Sequence, residues 1–472
     1  MPNGLSSAPR VFTKLMRSAL SFLRKEHEVA VSGFLDDNLL VHYDDIRTAM
    51  MKGAVSAIQL QKLGFTINIP KSVADAGVTR ISHLGFILDS ICMRAFLSEK
   101  KTQKILKAIQ DCLDKARITI RELASVKGKI EATRVANPYA QLFTKRLEIE
   151  KIDALNQAKF NYEARISLSQ ECRKDLEVVK SDLPGISAPL RIPPPDITLK
   201  SDSSGKGWGV FNPFTGERGG GHWSQEEKLE HINILELKAC FFTLKCFCAD
   251  RRSIHVRLMS DNRSAVASIS KQGSTKKRLN QVARELWQYA KERDIWLSSA
   301  HIAGKLNVES DEESRIFDEN IEWSLRDNLF QEITELFGQP SIDLFASRLN
   351  NKVNRYVSWK PDPEAEAIDS FKLHSWGNEF FWAFPPFCVI SKVIQKIIQD
   401  EAEGILLVPD WVSQPWYNLV KRCTIEEPYR FTVKSNELFL PFSLEQVHPL
   451  VPLRMQALRV SGRLAAVNSL KK

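Results

Sequence analysis

Apolar positions recur along this chain with two different periods, and the switch between them marks out its elements. Ile105, Ile109 and Leu113 repeat every four residues, which predicts a helix. Thr119 and Glu122 have capping-box spacing, so a second helix is expected to start there. Further on, residues 197–201 read as a short strand ending at Asp202, and 208–211 and 220–223 as the next two strands. Gly205, Gly207 and the 213–216 turn separate them. Residues 233–248 carry the stripe Ile234, Leu237, Phe241 and Leu244 and predict a helix with Glu236 in its first two turns. Ile254, Val256 and Leu258 alternate with polar neighbours in a strand running into Asp261. A helix over 279–292 follows, and Ile295, Leu297 and Ser299 open a last strand, after which Asp311 lies in the terminal segment.

The breaks between these patterns divide the chain. Prolines cluster over 184–196 and read as a linker, because consecutive prolines continue neither a helix nor a central strand. A second break is expected near 323–328. The expected division is 1–95, a basic helical 96–183, the linker 184–196, a central domain 197–318, a module over 325–455 and a basic tail 456–472. The fold class this implies is α/β and multidomain.

Composition narrows the choice of partner. The chain has 472 residues and a formal charge of +9. Between residues 98 and 146, twelve basic residues face five acids, a net of +7. Lys100, Lys101, Lys104, Lys107 and Arg121 belong to this group, and such an imbalance points to phosphate contacts. Lys276, Lys277 and Arg278 form a smaller basic cluster at a helix start, with the same expectation. The eight cysteines contain no C-x-x-C pair, which argues against a zinc ribbon or a disulfide framework. No stretch reaches the roughly 18 apolar residues of a membrane span. There is no secretory signal, and the acid-free, basic first 25 residues read as an amphipathic helix. The expected location is intracellular, cytoplasmic or nuclear; oligomeric state is not legible.

The order of three strands, helix, strand, helix, strand resembles the ribonuclease H fold, a mixed five-stranded sheet with flanking helices. The local residues fit the resemblance: Ser201-Asp202-Ser203-Ser204, Leu235-Glu236-Leu237, Ser260-Asp261-Asn262, and His301-Ile302-Ala303-Gly304-Lys305-Leu306-Asn307 before Ser310-Asp311 and Ser314-Arg315. Ser310 and Glu313 depart from the more usual small and apolar residues. The resemblance implies that Asp202, Glu236, Asp261 and Asp311 hold two Mg²⁺ ions, that His301 assists product release, and that the substrate is an RNA–DNA hybrid. The chemistry suits these residue types. Cleaving a phosphodiester needs an activated water and a neutralised leaving alkoxide, which two divalent ions roughly 3.5–4 Å apart supply. Hard cations of this kind prefer carboxylate oxygens.

Upstream, Pro2-Asn3-Gly4-Leu5-Ser6-Ser7-Ala8-Pro9 with Phe12 resembles the nucleotide-pocket motif of reverse transcriptases, and Phe34-Leu35-Asp36-Asp37 resembles their catalytic turn. Leu63-Gly64-Phe65, Lys71-Ser72 and His83-Leu84-Gly85-Phe86 resemble later palm motifs. The resemblance makes 1–95 a palm remnant with Asp36 and Asp37 as metal ligands, and 96–183 a thumb. Only Glu26 and Glu28 supply acids before Asp36, so the further metal-binding aspartate of such polymerases is missing. The expectation is an N-terminally truncated enzyme without polymerase activity. Together with Thr119-Ile120-Arg121-Glu122-Leu123-Ala124-Ser125, these stretches resemble retrotransposon Pol proteins, DIRS-type (tyrosine-recombinase) elements first and gypsy-type second. The competing expectation is a catalytically silent nucleic-acid-binding remnant.

Residues 325–455 contain Ser341-Ile342-Asp343-Leu344-Phe345-Ala346-Ser347 and Phe384-Pro385-Pro386-Phe387. They resemble the adenine-methyltransferase-like tail of DIRS-type elements. In active relatives an Asp or Asn precedes the two prolines; here Phe384 stands there, with no acceptor for the target amine, while Phe387 could stack on a flipped base. A glycine-rich cofactor loop is absent from the sequence, so S-adenosylmethionine is not an expected cofactor.

Overall fold

The computed structural model describes residues 5–43, 45–73, 77–317, 323–434 and 437–463. The chain divides into two units, 1–193 and 194–472. Among the described residues no helix is long and apolar enough to cross a membrane.

The first unit begins with α1 (Ala8–Glu26), whose Pro9 occupies the first turn, where a missing N–H costs nothing. Met16, Leu20 and Leu23 pack on Val29 and on Val31 of the hairpin formed by β1 (Ala30–Phe34) and β2 (Asp37–Val41). After α2 (Ile46–Lys62), three strands follow: β3 (Arg80–His83), β4 (Phe86–Asp89) and β5 (Arg94–Leu97). Next come α3 (Glu99–Leu113), the short β6 (Ile118–Thr119), α4 (Ile120–Glu131), α5 (Ala140–Gln157), β7 (Arg165–Ile166) and α6 (Gln170–Asp182). The expected capping box is present: Thr119 Oγ1 accepts from the Glu122 amide at 3.1 Å, and Glu122 accepts from the Thr119 amide at 2.7 Å. Ile105, Ile109 and Cys112 of α3 are buried, which turns Lys100, Lys104 and Lys107 outward.

The 184–196 segment is not wholly a linker. Ser187–Pro189 form β8, which pairs antiparallel with β5 and closes the order β3-β4-β5-β8. Proline is tolerated there because an edge strand leaves one side of its backbone unpaired.

The second unit opens on β9 (Ile197–Ser203), β10 (Gly207–Phe211) and β11 (Arg218–His222). These are followed by α7 (Ile232–Cys248), β12 (His255–Ser260), α8 (Arg263–Ser270), α9 (Lys277–Glu292), β13 (Trp296–His301) and α10 (Val308–Arg315). The sheet order is β11-β10-β9-β12-β13. β10 runs antiparallel to both neighbours, and β9, β12 and β13 run parallel. This is the ribonuclease H-like arrangement. Leu199, Val210, Val256, Leu258 and Leu297 are buried, as the alternation requires. α10 lies against β10 and β11 so closely that a Cβ on Gly209 would sit 2.0 Å from the Ser310 carbonyl, and one on Gly220 2.6 Å from that of Glu313. Only glycine allows that approach.

The rest of this unit starts at β14 (Ser324–Leu325) and α11 (Asp327–Phe337), within the stretch expected to be a break. Then come β15 (Ile342–Asp343), β16 (Val357–Ser358), β17 (Ala367–Ile368), β18 (Phe380–Ala383), α12 (Ile390–Gln399), β19 (Glu403–Pro409) and α13 (Tyr417–Cys423). β20 (Tyr429–Val433), β21 (Leu438–Leu440), β22 (Ser443–Val447) and β23 (Leu453–Ser461) complete it. A second five-stranded sheet has the order β15-β18-β19-β23-β20, parallel at one end and antiparallel at the other. β23 crosses the boundary expected at 455. Met455, Ala457, Leu458 and Val460 are core residues of this strand, and Arg459 of the expected basic tail lies within it, between Leu458 and Val460.

Within this unit Arg348 ties the two sheets together. Its Nη2 donates to the His222 carbonyl at 2.7 Å and to Glu227 Oε2 at 2.7 Å, and the guanidinium lies over the Phe242 ring.

Candidate metal centre

β9 and β12 are adjacent and parallel, so their carboxyl ends bring Asp202 and Asp261 side by side. α7 packs on β9 and presents Glu236 from its second turn. One carboxylate oxygen from each of the three lies within 4.8 Å of the others. Asp202 is 3% exposed and Glu236 5%, so water screens neither fully.

The surroundings fix Asp202 on both oxygens. Ser314 Oγ donates to Oδ2 at 2.8 Å, and Asn307 Nδ2 reaches Oδ1 at 3.4 Å while donating to the Ser201 carbonyl at 3.0 Å. Ser260 Oγ reaches Glu236 Oε2 at 3.4 Å. Asn262 caps α8 through its Oδ1 and donates to Asn233 Oδ1 at 3.0 Å, which braces the turn after Asp261. A Cβ on Gly304 would lie 3.1 Å from Asp261 Oδ2, so the loop after β13 runs against that carboxylate.

Electrostatics follow from this crowding. Burial, and then the charges of Asp261 and Asp311, push Asp202 up to about 6 against the opposing Ser314 hydrogen bond. Burial, and then Asp202 and Asp261, push Glu236 up to about 8. Three oxygen ligands drawn together at this electrostatic cost, with no thiol or imidazole in the group, form a donor set that fits a hard divalent cation such as Mg²⁺.

The fourth expected acid is not in the group. Asp311 sits on α10 with its side chain 42% exposed, and its Oδ1 accepts from Arg315 Nε at 2.7 Å. The i,i+4 spacing on a short helix made that pairing available, and the arginine competes for the carboxylate. His301 ends β13, exposed, in register with Ser260 and so beside the turn that carries Asp261. Ser314 and Asn307 were quoted in the motif without a role. Their contacts to Asp202 span 112 and 105 positions, which no local pattern reveals.

Elsewhere the expected residues are dispersed. Asp36 and Asp37 are exposed at the β1–β2 turn, and among the described residues they join no group of three ligands. Part of the expected nucleotide-pocket motif, Pro2-Asn3-Gly4, lies outside the described residues. Lys100, Lys104 and Lys107 are exposed along one face of α3. Lys101 is not part of that face: its Nζ donates to the Ala132 carbonyl at 3.1 Å and lies 3.7 Å from the Phe86 ring centroid, and burial lowers its pKa. Arg121 pairs with Glu163 at 2.5 Å. Lys276 stands at the N-cap position of α9 and Lys277 opens the helix, both exposed, while Arg278 pairs with Glu230. Phe384 and Phe387 are partly buried against the apolar core, the Phe387 ring edge-on to Trp411 at 5.3 Å. Beyond the ends of β15 and β18 is a cavity of about 230 Å³ whose walls include Phe345, Trp359 and Phe371.

No protein-family model matches the sequence, and no curated protein matches it. Among solved structures, the chain is similar to the foamy viral protease-reverse transcriptase in complex with double-stranded DNA. The identity is 16%, the coverage 63% of this chain and 50% of that one, and the TM-score 0.33. It is also similar to LC11-RNase H1 in complex with an RNA/DNA hybrid, at 17% identity over 25% of this chain and 93% of that one, with a TM-score of 0.22. RNase H1 from the halophilic archaeon Halobacterium salinarum NRC-1 gives 15%, 25%, 92% and 0.21. The chain spans half the length of the foamy viral protein, and these likenesses concern the fold alone.

Proposed function

We propose that the ribonuclease H-like part of the second unit hydrolyses the RNA strand of RNA–DNA hybrids, as one domain of a retrotransposon Pol protein of the DIRS type, or else the gypsy type. One observation carries this reading: Asp202, Glu236 and Asp261, from three separate elements, bring ligand oxygens within 4.8 Å of one another. These three carboxylates would hold Mg²⁺, which when bound supplies an activated water and neutralises the leaving oxygen. The protein's own part is positional. Ser314 and Asn307 hold Asp202 in one orientation. Burial and the neighbouring Asp202 and Asp261 push Glu236 up to about 8, which favours its protonated form over the anion. The exposed Lys100, Lys104 and Lys107 face supports contacts to the phosphates of a duplex.

The experiment is cleavage of a labelled RNA–DNA hybrid with Mg²⁺ by the 472-residue protein, beside Asp202→Asn. Cleavage by the parent alone supports the reading. Salt-sensitive binding without cleavage supports the second reading, a silent nucleic-acid-binding protein, which is favoured by the pairing of Asp311 with Arg315 outside the acid group.

A further inference from the structure

α10 is acidic, yet nearly every acid on it is answered by a cation from another element. Glu309 pairs with Lys200 at 3.2 Å, Glu312 with Arg218 at 3.0 Å, and Glu313 with Lys360 at 3.6 Å. Asp311 differs, since its partner Arg315 lies on the same helix. That arginine is 60% exposed, and only its Nε is engaged; among the described residues Nη1 and Nη2 reach no acceptor. Its charge is close enough to act on Asp202, Asp261 and Glu236.

A nucleic-acid strand entering a site built from three carboxylates meets like charge. A fixed cation at the rim would offset that repulsion, and the planar fork of an arginine matches two phosphate oxygens at once. We propose that Arg315, oriented by Asp311, is the phosphate-contact residue of this site and grips the strand next to the acid group. Asp311 is then a positioning residue that acts through Arg315, with its carboxylate on Nε and the Nη pair turned to the phosphate.

The inference rests on the nuclease reading for its substrate, but its test needs no cleavage. Binding of a fluorescent RNA–DNA hybrid is measured in EDTA, across a salt series, for the parent, Arg315→Ala, Arg315→Lys and Asp311→Asn. Hybrids with single methylphosphonates along the RNA strand locate the phosphate. The expected result is about ten-fold weaker binding by Arg315→Ala, with a salt slope lower by about one. Arg315→Lys lies between, because it keeps the charge and loses the fork, and Asp311→Asn weakens binding less than Arg315→Ala does. One methylphosphonate position should weaken the parent and leave Arg315→Ala unaffected, the mark of a direct pair. Parent-like affinity and salt slope in a folded Arg315→Ala would overturn the proposal, as would the same methylphosphonate profile in both proteins. A parent that binds in this Arg315-dependent way without cleaving in Mg²⁺ would support the contact and sink the nuclease reading alone.

Discussion

Ser314 Oγ donates to Asp202 Oδ2 at 2.8 Å, joining α10 to the end of β9. The bond fixes which lone pairs of a buried carboxylate remain for a cation. Ser314→Ala should raise the Mg²⁺ half-saturation of cleavage about 10- to 100-fold, the usual effect of losing a partner that orients a ligand. A Mg²⁺ titration at constant ionic strength checks it, and an unchanged midpoint would show that the hydroxyl only fills space.

Neutralising the acids one at a time tests how far they act as a unit. Asp202→Asn, Glu236→Gln and Asp261→Asn should each lower hybrid cleavage on the order of 10³-fold, and the pairwise doubles should be little worse than the singles. Asp311→Asn, outside the group, should cost about ten-fold. Initial rates under single-turnover conditions distinguish these outcomes.

Stability should depend on pH in a defined direction. Asp202, Asp343 and Glu236 are pushed up to about 6, 7 and 8, in each case chiefly by burial. A carboxyl that holds its proton more tightly folded than unfolded stabilises fully below about pH 4, and that stability is lost as pH rises towards 8. The thermal midpoint of the cation-free protein should therefore fall between pH 5 and pH 8, and Mg²⁺ should restore part of it at pH 8. Glu236→Gln should flatten the upper part of the profile and reduce the Mg²⁺ effect. Asp343→Asn should flatten the profile and leave the Mg²⁺ effect intact.

Arg348 is 13% exposed and bridges two parts of one unit. Arg348→Ala leaves Glu227 with Lys238 and the Ser224 amide and should destabilise the unit by about 3–5 kcal/mol, the range for breaking a buried ion pair. Denaturant unfolding followed by the fluorescence of the tryptophans, all of which lie in this unit, should show a lower midpoint than the parent.

Phe384 has no acceptor to offer an adenine amine, and its side chain is used in the core. Labelled S-adenosylmethionine should therefore transfer no methyl group to adenine-containing DNA; incorporation above a protein-free control would refute this.

The first sheet and its three acids were legible because strand alternation and one helical stripe place Asp202, Asp261 and Glu236 at element ends and inner faces. Long-range polar partners were not. A hydroxyl such as that of Ser314 has no periodic signature, and its contact exists only because Gly209 and Gly220 let α10 lie flat on the sheet. Asp311 stands apart from the three for a related reason: the motif places the residue, but its carboxylate accepts from an arginine four positions on. The end of the β23 strand was hidden because Arg459 gave the segment after 455 the charge of a solvated tail, although Ala457, Leu458 and Val460 around it are buried.

That strand lies between β19 and β20, the latter formed some twenty residues earlier in the sequence. During synthesis, therefore, a slot stays open in the middle of the second sheet until residue 461 has left the ribosome. The first sheet and α10 are all made by Arg315, so the acid group can assemble on the nascent chain while its neighbour still waits for its central strand.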